Sequence, residues 1–359
     1  MVNSKPYNLL DYDIDALADL FEANGFQRFR SQQLIKWIHQ KLIDDFDQMS
    51  NIGKALISWL KINTTISPPP IKHQQISQDG TIKWLLSSAE GHYEMVYIPE
   101  KNRGTLCVSS QVGCALACKF CATGKQGFTR NLSCHEIIGQ LWLANRVVQS
   151  IHGKDRAITN VVFMGMGEPL MNVGPVFKAV GLMLNDLAYG LSKYRVTIST
   201  VGVVPVMKKM LHKNGPALAV SLHAPNEHLR SNIIPLNNKF SLKLLLDTCR
   251  DYTRTTNREI TFEYTMMHDK NDRLEHADEL SNILKQIDCK INLIPCNPIE
   301  DGIFLPSNKK RLIQFQSRLQ KNGYHVTIRK TRGDDINAAC GQLAETFLKT
   351  KKSLVRIET

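Results

Sequence analysis

The chain contains no run of eighteen apolar residues, which excludes a helical membrane span. It opens Met1-Val-Asn-Ser-Lys-Pro-Tyr7 with no apolar h-region, so no secretory signal is expected. No low-complexity tract is present. Cysteines number nine, an odd count, in a long chain of 359 residues, and this argues against a disulfide framework. A reducing cytoplasm is the expected compartment. Acidic residues are in deficit: 33 against 45 basic ones, a net charge of +12. That excess favours a polyanionic partner, nucleic acid before membrane. The basic residues are dispersed, with modest clusters at Lys208-Lys209, Lys309-Lys310-Arg311, Arg329-Lys330-Thr-Arg332 and Lys349 to Lys352. Nothing in the sequence calls for more than a monomer.

Against this background one feature stands out: Cys114, Cys118 and Cys121 in Gly113-Cys-Ala-Leu-Ala-Cys-Lys-Phe-Cys-Ala-Thr-Gly124. The spacing is C-x3-C-x2-C, and no fourth cysteine stands nearby. Thiolates suit a [4Fe-4S] cluster. Three of them would leave one iron open to a small molecule, which suggests chemistry at the cluster rather than electron carriage alone. A structural zinc site is the competing reading. It usually takes two C-x2-C-like pairs; Cys134 and His135 could complete a set but do not form such a pair.

At this length the chain can bury a large core, and one large domain with a smaller one is expected. Residues 1–70 read as a helical accessory module. Apolar residues recur at helical spacing over Asp13–Asn24 and Ser31–Lys41, Gly25 serves as a stop, and Pro68-Pro69-Pro70 marks the boundary. Residues 71–104 change to a strand period, with strands at 81–86 and 92–98 joined by a turn over Ser88–Gly91, as an antiparallel extension. From Thr105 to about residue 345 strands and helices alternate. Strands are expected at 105–109, 160–164, 195–200, 217–222, 259–264 and 290–295; helices at 133–149, 175–187, 204–212, 242–253, 274–286 and 309–322. Six such units imply an α/β fold with a parallel sheet. They are too few for a closed eight-fold barrel, so a partial barrel or a doubly wound sheet remains. Residues 346–359 form a basic tail.

In such sheets ligands sit beyond the carboxyl ends of the strands. The conspicuous residues fall there: the cysteine triplet after the first strand, Gly165-Met-Gly-Glu168-Pro169 after the second, Ser199-Thr200, Ser221-Leu222-His223 and Pro295-Cys-Asn297-Pro298 at later ones. Any one alone could be a turn; together on one rim they mark a site.

Several stretches carry a family resemblance. The triplet after a first strand resembles that of radical S-adenosylmethionine (SAM) enzymes, and Gly165-Met-Gly-Glu168 resembles their SAM amino-group motif. Thr105-Leu-Cys107-Val-Ser-Ser-Gln-Val-Gly-Cys114, Phe163-Met-Gly-Met-Gly-Glu-Pro-Leu-Met-Asn172 and Arg332-Gly-Asp-Asp-Ile-Asn-Ala-Ala-Cys340-Gly-Gln-Leu343 are similar to the RlmN/Cfr family of RNA adenine methyltransferases. The resemblance runs essentially the whole length. Glu94 and Pro169 favour the branch that methylates adenosine C2, in 23S rRNA at the peptidyl transferase centre and in tRNA 3′ of the anticodon. A C8 methyltransferase and a non-catalytic, metal-containing RNA-binding protein are the alternatives.

The resemblance implies a partial (β/α)6 barrel and a set of roles. Cys114, Cys118 and Cys121 would hold the [4Fe-4S] cluster, reduced by an electron donor. Gly167, Glu168, Ser199, Ser221, Leu222, His223 and Asn297 would bind SAM, used twice per turnover. C2 of adenine has no lone pair and cannot attack a methyl group as a nucleophile, so a carbon radical is required. Cys340 would carry the methyl group as S-methylcysteine, form a covalent adduct with the RNA, and be released by attack of Cys107, giving a disulfide. Glu94 would accept the C2 proton. By the residues alone, Cys340 and Cys107 could be packing residues, Glu94 could face water in an alternating strand, and His223 could be structural. Cys134, Cys249, Cys289 and Cys296 are assigned to packing. Arg28, Arg30, Lys36 and Lys41 would meet RNA phosphates.

Overall fold

The computed structural model describes residues 7–88, 90–153, 157–210, 215–299 and 302–343. The basic tail at 346–359 and the end of the helix expected at 204–212 lie outside the described residues.

The centre is a ten-stranded sheet. Strands β1 (Ile71–Ile76), β2 (Ile82–Ser88) and β3 (Gly91–Glu100) form an antiparallel meander that pairs with β4 (Arg103–Cys107). From β4 every neighbour is parallel: β5 (Asn160–Phe163), β6 (Val196–Thr200), β7 (Ala217–Ser221), β8 (Ile260–Met266), β9 (Cys289–Pro295) and β10 (His325–Ile328). The spatial order is the chain order throughout. A doubly wound sheet needs a reversal of order, and none occurs. Successive right-handed crossovers in one direction instead lay the helices along one face, the winding of a partial barrel.

The strand sequences explain the two faces. In β6, Val196 and Ile198 are fully buried while Thr197 and Ser199 are half-buried. In β8, Phe262 and Tyr264 face the helices, and Tyr264 stacks on Phe315 of helix Lys309–Lys321 at 5.4 Å between centroids. The opposite face of β8 carries Glu263 and Thr265. The helical face is therefore apolar and the inner face polar, which suits a binding interior rather than a filled core. β1 and β10 were not anticipated. β1 is an exposed polar edge, and β10 is only four residues long with little apolar pattern.

The N-terminal module is built on helices Ile14–Ala23 and Lys54–Asn63, with Arg30–Ile35 between them. The helix expected over Ser31–Lys41 changes at Lys36–Gln40 into a wider π turn. Its Ile38 carbonyl accepts from Trp142 Nε1 at 2.9 Å, and His39 Nδ1 lies 3.2 Å from the Tyr189 hydroxyl. Asp11 pairs with His135 and Asp44 with Arg146. The apolar core runs without a break from Leu9 and Leu34 into the barrel helices, so this module is docked rather than tethered.

His39 is buried, and burial pulls its pKa from 6.5 down to about 3. Between those values the unfolded chain binds a proton that the folded chain does not, so stability falls as pH drops below the unfolded value. From this residue the slope is at most about 1.4 kcal/mol per pH unit. Urea midpoints should fall between about pH 7 and pH 5, and His39→Gln should flatten that fall.

Candidate active site

The carboxyl ends of the parallel strands surround a cavity of about 850 Å³, mouth included. It brings together Cys114, Cys118, Cys121, Gly167, Glu168, Ser199, Ser221, His223 and Cys340 from distant parts of the sequence.

The cysteine loop follows β4 through a short hairpin of Gln111–Gly113 and Phe128–Asn131. Cys114 N donates to Gly127 O at 2.7 Å, Cys121 N to Cys118 O at 3.1 Å, and Lys119 N to Ile233 O at 3.0 Å. Burial pushes the Cys114 thiol up to about 11 and Cys118 well above its ordinary value, and neighbouring thiolates add to both shifts. Bringing three thiolates together therefore needs a cation to offset them, and metal binding would release their protons. Among the described residues no three His, Cys, Asp or Glu side chains could hold a single metal ion. A cluster spreads its ligands over separate irons, so thiols distributed along one wall fit it better than a zinc site. Cys134 and His135, the candidate zinc partners, lie elsewhere: Cys134 is buried at the N-terminal module and His135 Nδ1 pairs with Asp11 at 2.8 Å. Cys249 and Cys296 are buried as packing residues, and Cys289 is half-buried.

The glycine-rich stretch is shaped by contact with the strand-to-loop segment before the cysteines. Gly167 has φ +95°, and a Cβ there would lie 2.5 Å from Gln111 Cβ. Gln111 Oε1 accepts from Glu168 N at 2.9 Å. The Glu168 carboxylate accepts from Leu170 N and Val201 N, both at 3.0 Å. Burial nonetheless pushes its pKa up to about 7, so a bound ammonium would return it to the charged form.

His223 has left-handed backbone, φ 56°, an uncommon state for a residue with a side chain. Asn271 Nδ2 donates to its carbonyl at 2.8 Å, and Thr265 N donates to its Nδ1 at 3.0 Å. Burial lowers its pKa to about 3. The ring is therefore neutral with its proton on Nε2, and that buried atom has no protein partner. A fixed donor on the cavity wall is what an acceptor-rich ligand requires. Ser199 and Ser221 present hydroxyls to the same space. Leu222 and Asn297 are engaged with other parts of the protein. Leu222 is fully buried, with its carbonyl accepting from Arg230, and Asn297 Nδ2 donates to Cys340 O at 3.0 Å.

Cys340 arrives on a strap, residues 331–343, laid back over the cavity. Asp335 accepts from Ser77 Oγ at 2.5 Å and Gln78 N at 3.1 Å; Asp79 accepts from Gly333 N at 3.2 Å. Beyond Cys340, Gly341 O accepts from Ala122 N at 2.8 Å and Leu343 O from Thr123 Oγ1 at 2.6 Å. Cys107, at the end of β4 opposite Val96, is buried below the cavity wall. Burial pushes its thiol up to about 12, the Cys340 charge adds to this, and Arg329 opposes it. Both cysteines are free thiols. Glu94 does not face water, as the alternating pattern allowed. It is 0% exposed and pairs with Lys83 Nζ at 3.4 Å, while Lys83 also donates to Asn337 O on the strap at 3.2 Å. β3 is covered on both faces, so alternation there carried no exposure signal.

Three functional candidates were missed. Glu263 lines the cavity, held by Asn292 Nδ2 at 3.0 Å; a lone acid in an otherwise uncharged strand was the available signal. Lys83 and Arg329 had no local signal, because their importance comes from what folds against them.

The winding, the cysteine-lined rim and the glycine-rich turn define a radical SAM enzyme. Residues 108–280 match the radical SAM superfamily, and residues 7–66 match the ribosomal RNA large subunit methyltransferase N-terminal domain. The chain is 50% identical over 352 residues to the dual-specificity RNA methyltransferase RlmN of Pseudomonas fluorescens, covering 96% of this chain and 92% of that one. It is similar in structure to a radical SAM methyltransferase from Sphaerobacter thermophilus, with TM-score 0.88 and 37% identity over 94% of this chain and 99% of the other. The chain belongs to the RlmN family of radical SAM RNA methyltransferases, enzymes that use a [4Fe-4S] cluster and SAM.

The strap is tested by Asp335→Ala. Cluster iron content should stay at the native level, because the cysteine loop is anchored independently, while RNA methylation should drop about tenfold or more, as misplacement of a reacting group by ~1 Å can cost more than that. Iron analysis beside a methylation assay measures both.

Proposed function

We propose that this enzyme methylates C2 of adenosine in 23S rRNA, in the peptidyl transferase centre, and in tRNA 3′ of the anticodon, with Cys340 as the methyl carrier. The observation that carries this reading is the presence of Cys340 in the same cavity as Cys114, Cys118 and Cys121. When bound, the cluster and SAM supply a methyl group and a hydrogen-abstracting carbon radical. SAM would be held by Glu168 at its amino group, with the turn at Gly167 admitting close backbone approach and His223 Nε2–H, Ser199 and Ser221 addressing the remainder. Two SAM molecules would serve each turnover.

Cys340 acts first as a nucleophile, and it needs the thiolate form. Burial raises its pKa, and Arg329 opposes that rise. Arg329 is anchored by its N–H on Leu293 O at 2.9 Å, and its guanidinium reaches Met164 Sδ at 3.5 Å across the interior. The carbon carried on Cys340 would give up one hydrogen atom and bond to C2. The adduct would return the one electron supplied for radical formation and pass the C2 proton to Glu94. Attack of Cys107 on the Cys340 sulfur would then break the sulfur–carbon bond, whose electron pair stays with the carbon and takes up a proton to complete the methyl group as the disulfide forms. Lys83 Nζ stands 3.4 Å from the Glu94 carboxylate, an opposite charge beside the proposed proton acceptor.

RNA binding is assigned to the N-terminal module together with the cavity mouth. Arg28 is engaged with Asp19 and Glu22, which weakens its case as a phosphate contact. Half-buried Arg30 stacks over Phe29 at 4.7 Å and exposed Lys41 over Trp37 at 3.6 Å, and Lys36 is exposed as well. Cations interleaved with aromatic faces suit phosphates and splayed bases. The target base would be turned out of its stem-loop to reach the cavity. A monomer acting in the cytoplasm with a separate electron donor completes the reading; no described helix is long and apolar enough to cross a membrane.

Two substitutions separate the thiol roles. Cys340→Ala should abolish methyl transfer while iron content and SAM cleavage persist, read by iron analysis and chromatography of the nucleoside product. Cys107→Ala should accumulate an RNA–protein crosslink visible on denaturing gels; normal turnover in that variant would remove its role. Methyl found at C8 by mass spectrometry and NMR would replace the C2 assignment.

A further inference from the structure

Arg230 is one of the largest fully buried side chains, 1% exposed, on the short helix Glu227–Ile233. Its guanidinium is fully engaged, but only with neutral oxygens. Nε donates to Leu222 O at 3.2 Å, Nη1 to Asn237 Oδ1 at 2.7 Å, and Nη2 to Val201 O at 2.6 Å and Ser221 O at 3.2 Å. Among the described residues no carboxylate forms an ion pair with it. Glu227, an acid whose charge acts on it, is spent on Asn237 Nδ2 at 2.6 Å and Leu242 N at 2.8 Å, one amide away. Burial lowers the Arg230 pKa only to about 10, so the group is a cation at neutral pH. A buried charge without a counter-charge is costly, and its persistence points to an anion not supplied by the protein's carboxylates.

The placement identifies that anion. Arg230 is not on the cavity wall, but two of its acceptors, Val201 and Ser221, belong to residues that are. Its helix touches the cysteine loop directly, through Lys119 N to Ile233 O at 3.0 Å, and Cys118 packs in one apolar cluster with Ile233, Ile234, Val201 and Leu229. The guanidinium thus stands behind the wall that carries Cys118. Lying behind the wall, it cannot grip a ligand in the cavity; it acts through its field, in an interior where screening is weak.

We propose that Arg230 is the built-in counter-cation of the iron–sulfur cluster on Cys114, Cys118 and Cys121, and that it raises the cluster's reduction potential. The inference rests on the reading of those cysteines as cluster ligands. A cluster with three thiolates carries net negative charge and gains more on reduction, so a fixed cation favours the reduced form. The four neutral acceptors orient the guanidinium without cancelling its charge, which a carboxylate in their place would do.

The test compares native protein, Arg230→Lys and Arg230→Gln, purified anaerobically, with and without reconstituted cluster. Midpoint potentials are read by electron paramagnetic resonance during redox titration, and Tm is measured in both states. Arg230→Gln should lower the equilibrium constant for reduction at least tenfold, about 59 mV for a one-electron couple, while Arg230→Lys stays near native. Without cluster, Arg230→Gln should melt at or above the native temperature, because the unpaired cation is gone, and its gain in Tm on loading should be smaller. Should Arg230→Gln fail to load, the cluster-free Tm still decides: a fall, or failure to fold, assigns the guanidinium to tying carbonyls together and overturns the proposal. An unchanged potential also overturns it, including the case in which only SAM affinity changes. If native protein takes up no iron, the cluster reading itself fails; if native protein loads and the variants match it, only the role of Arg230 fails.

Discussion

The proposed chemistry depends on a single constraint: residue 340 must be held over a cavity whose walls come from residues 114 to 294. No strand or α-helix does this; the strap's one short helical turn is the 3-10 turn Asp334–Ile336. The strap is fastened by hydrogen bonds at both ends, Asp335 and Gly333 to the turn at 77–79, and Gly341 and Leu343 to residues 122–123 just past the last cluster cysteine. Asn297 ties the Cys340 carbonyl directly. Each such bond is worth only about 1 kcal/mol net, so the strap is held by number and by agreement in geometry.

The polar interior is arranged around groups whose charges the protein does not fully balance. Burial pushes Glu168 up to about 7 and raises the Cys114 and Cys118 thiols, His223 keeps an unpartnered donor, and among the described residues no carboxylate pairs with Arg230. Stability alone would select against each of these. Their common location around one cavity is what a site looks like when its balancing charges arrive with the ligands.

Much of the fold was legible. The six expected parallel strands lie within a residue or two of their observed positions, because each is an apolar run buried on its helical side. The two readings of the sheet, partial barrel or doubly wound, could be separated only by strand order, which no local pattern encodes. β1 and β10 went unseen because short, polar edge strands carry almost no periodic signal. Within the site, the cysteine triplet, Gly167, Glu168, Ser199, Ser221, His223 and Cys340 meet as the motifs implied. The Leu222 side chain is buried and the Asn297 amide ties the Cys340 carbonyl, since a motif marks a segment and not the direction of each side chain. Glu263, Lys83 and Arg230 had no motif.

The family resemblance named the thiol that would carry a carbon; the sequence by itself determined which thiols could bind iron and which turn could approach a ligand closely. Those are properties of residue type and local spacing, and they survive without coordinates. Tertiary structure alone decided which charges would lack partners, which tautomer His223 would adopt, and that Cys340 would lie within the cluster's cavity. These depend on dielectric surroundings and on contacts between residues more than two hundred positions apart, such as Thr123 with Leu343, and local sequence carries no record of either.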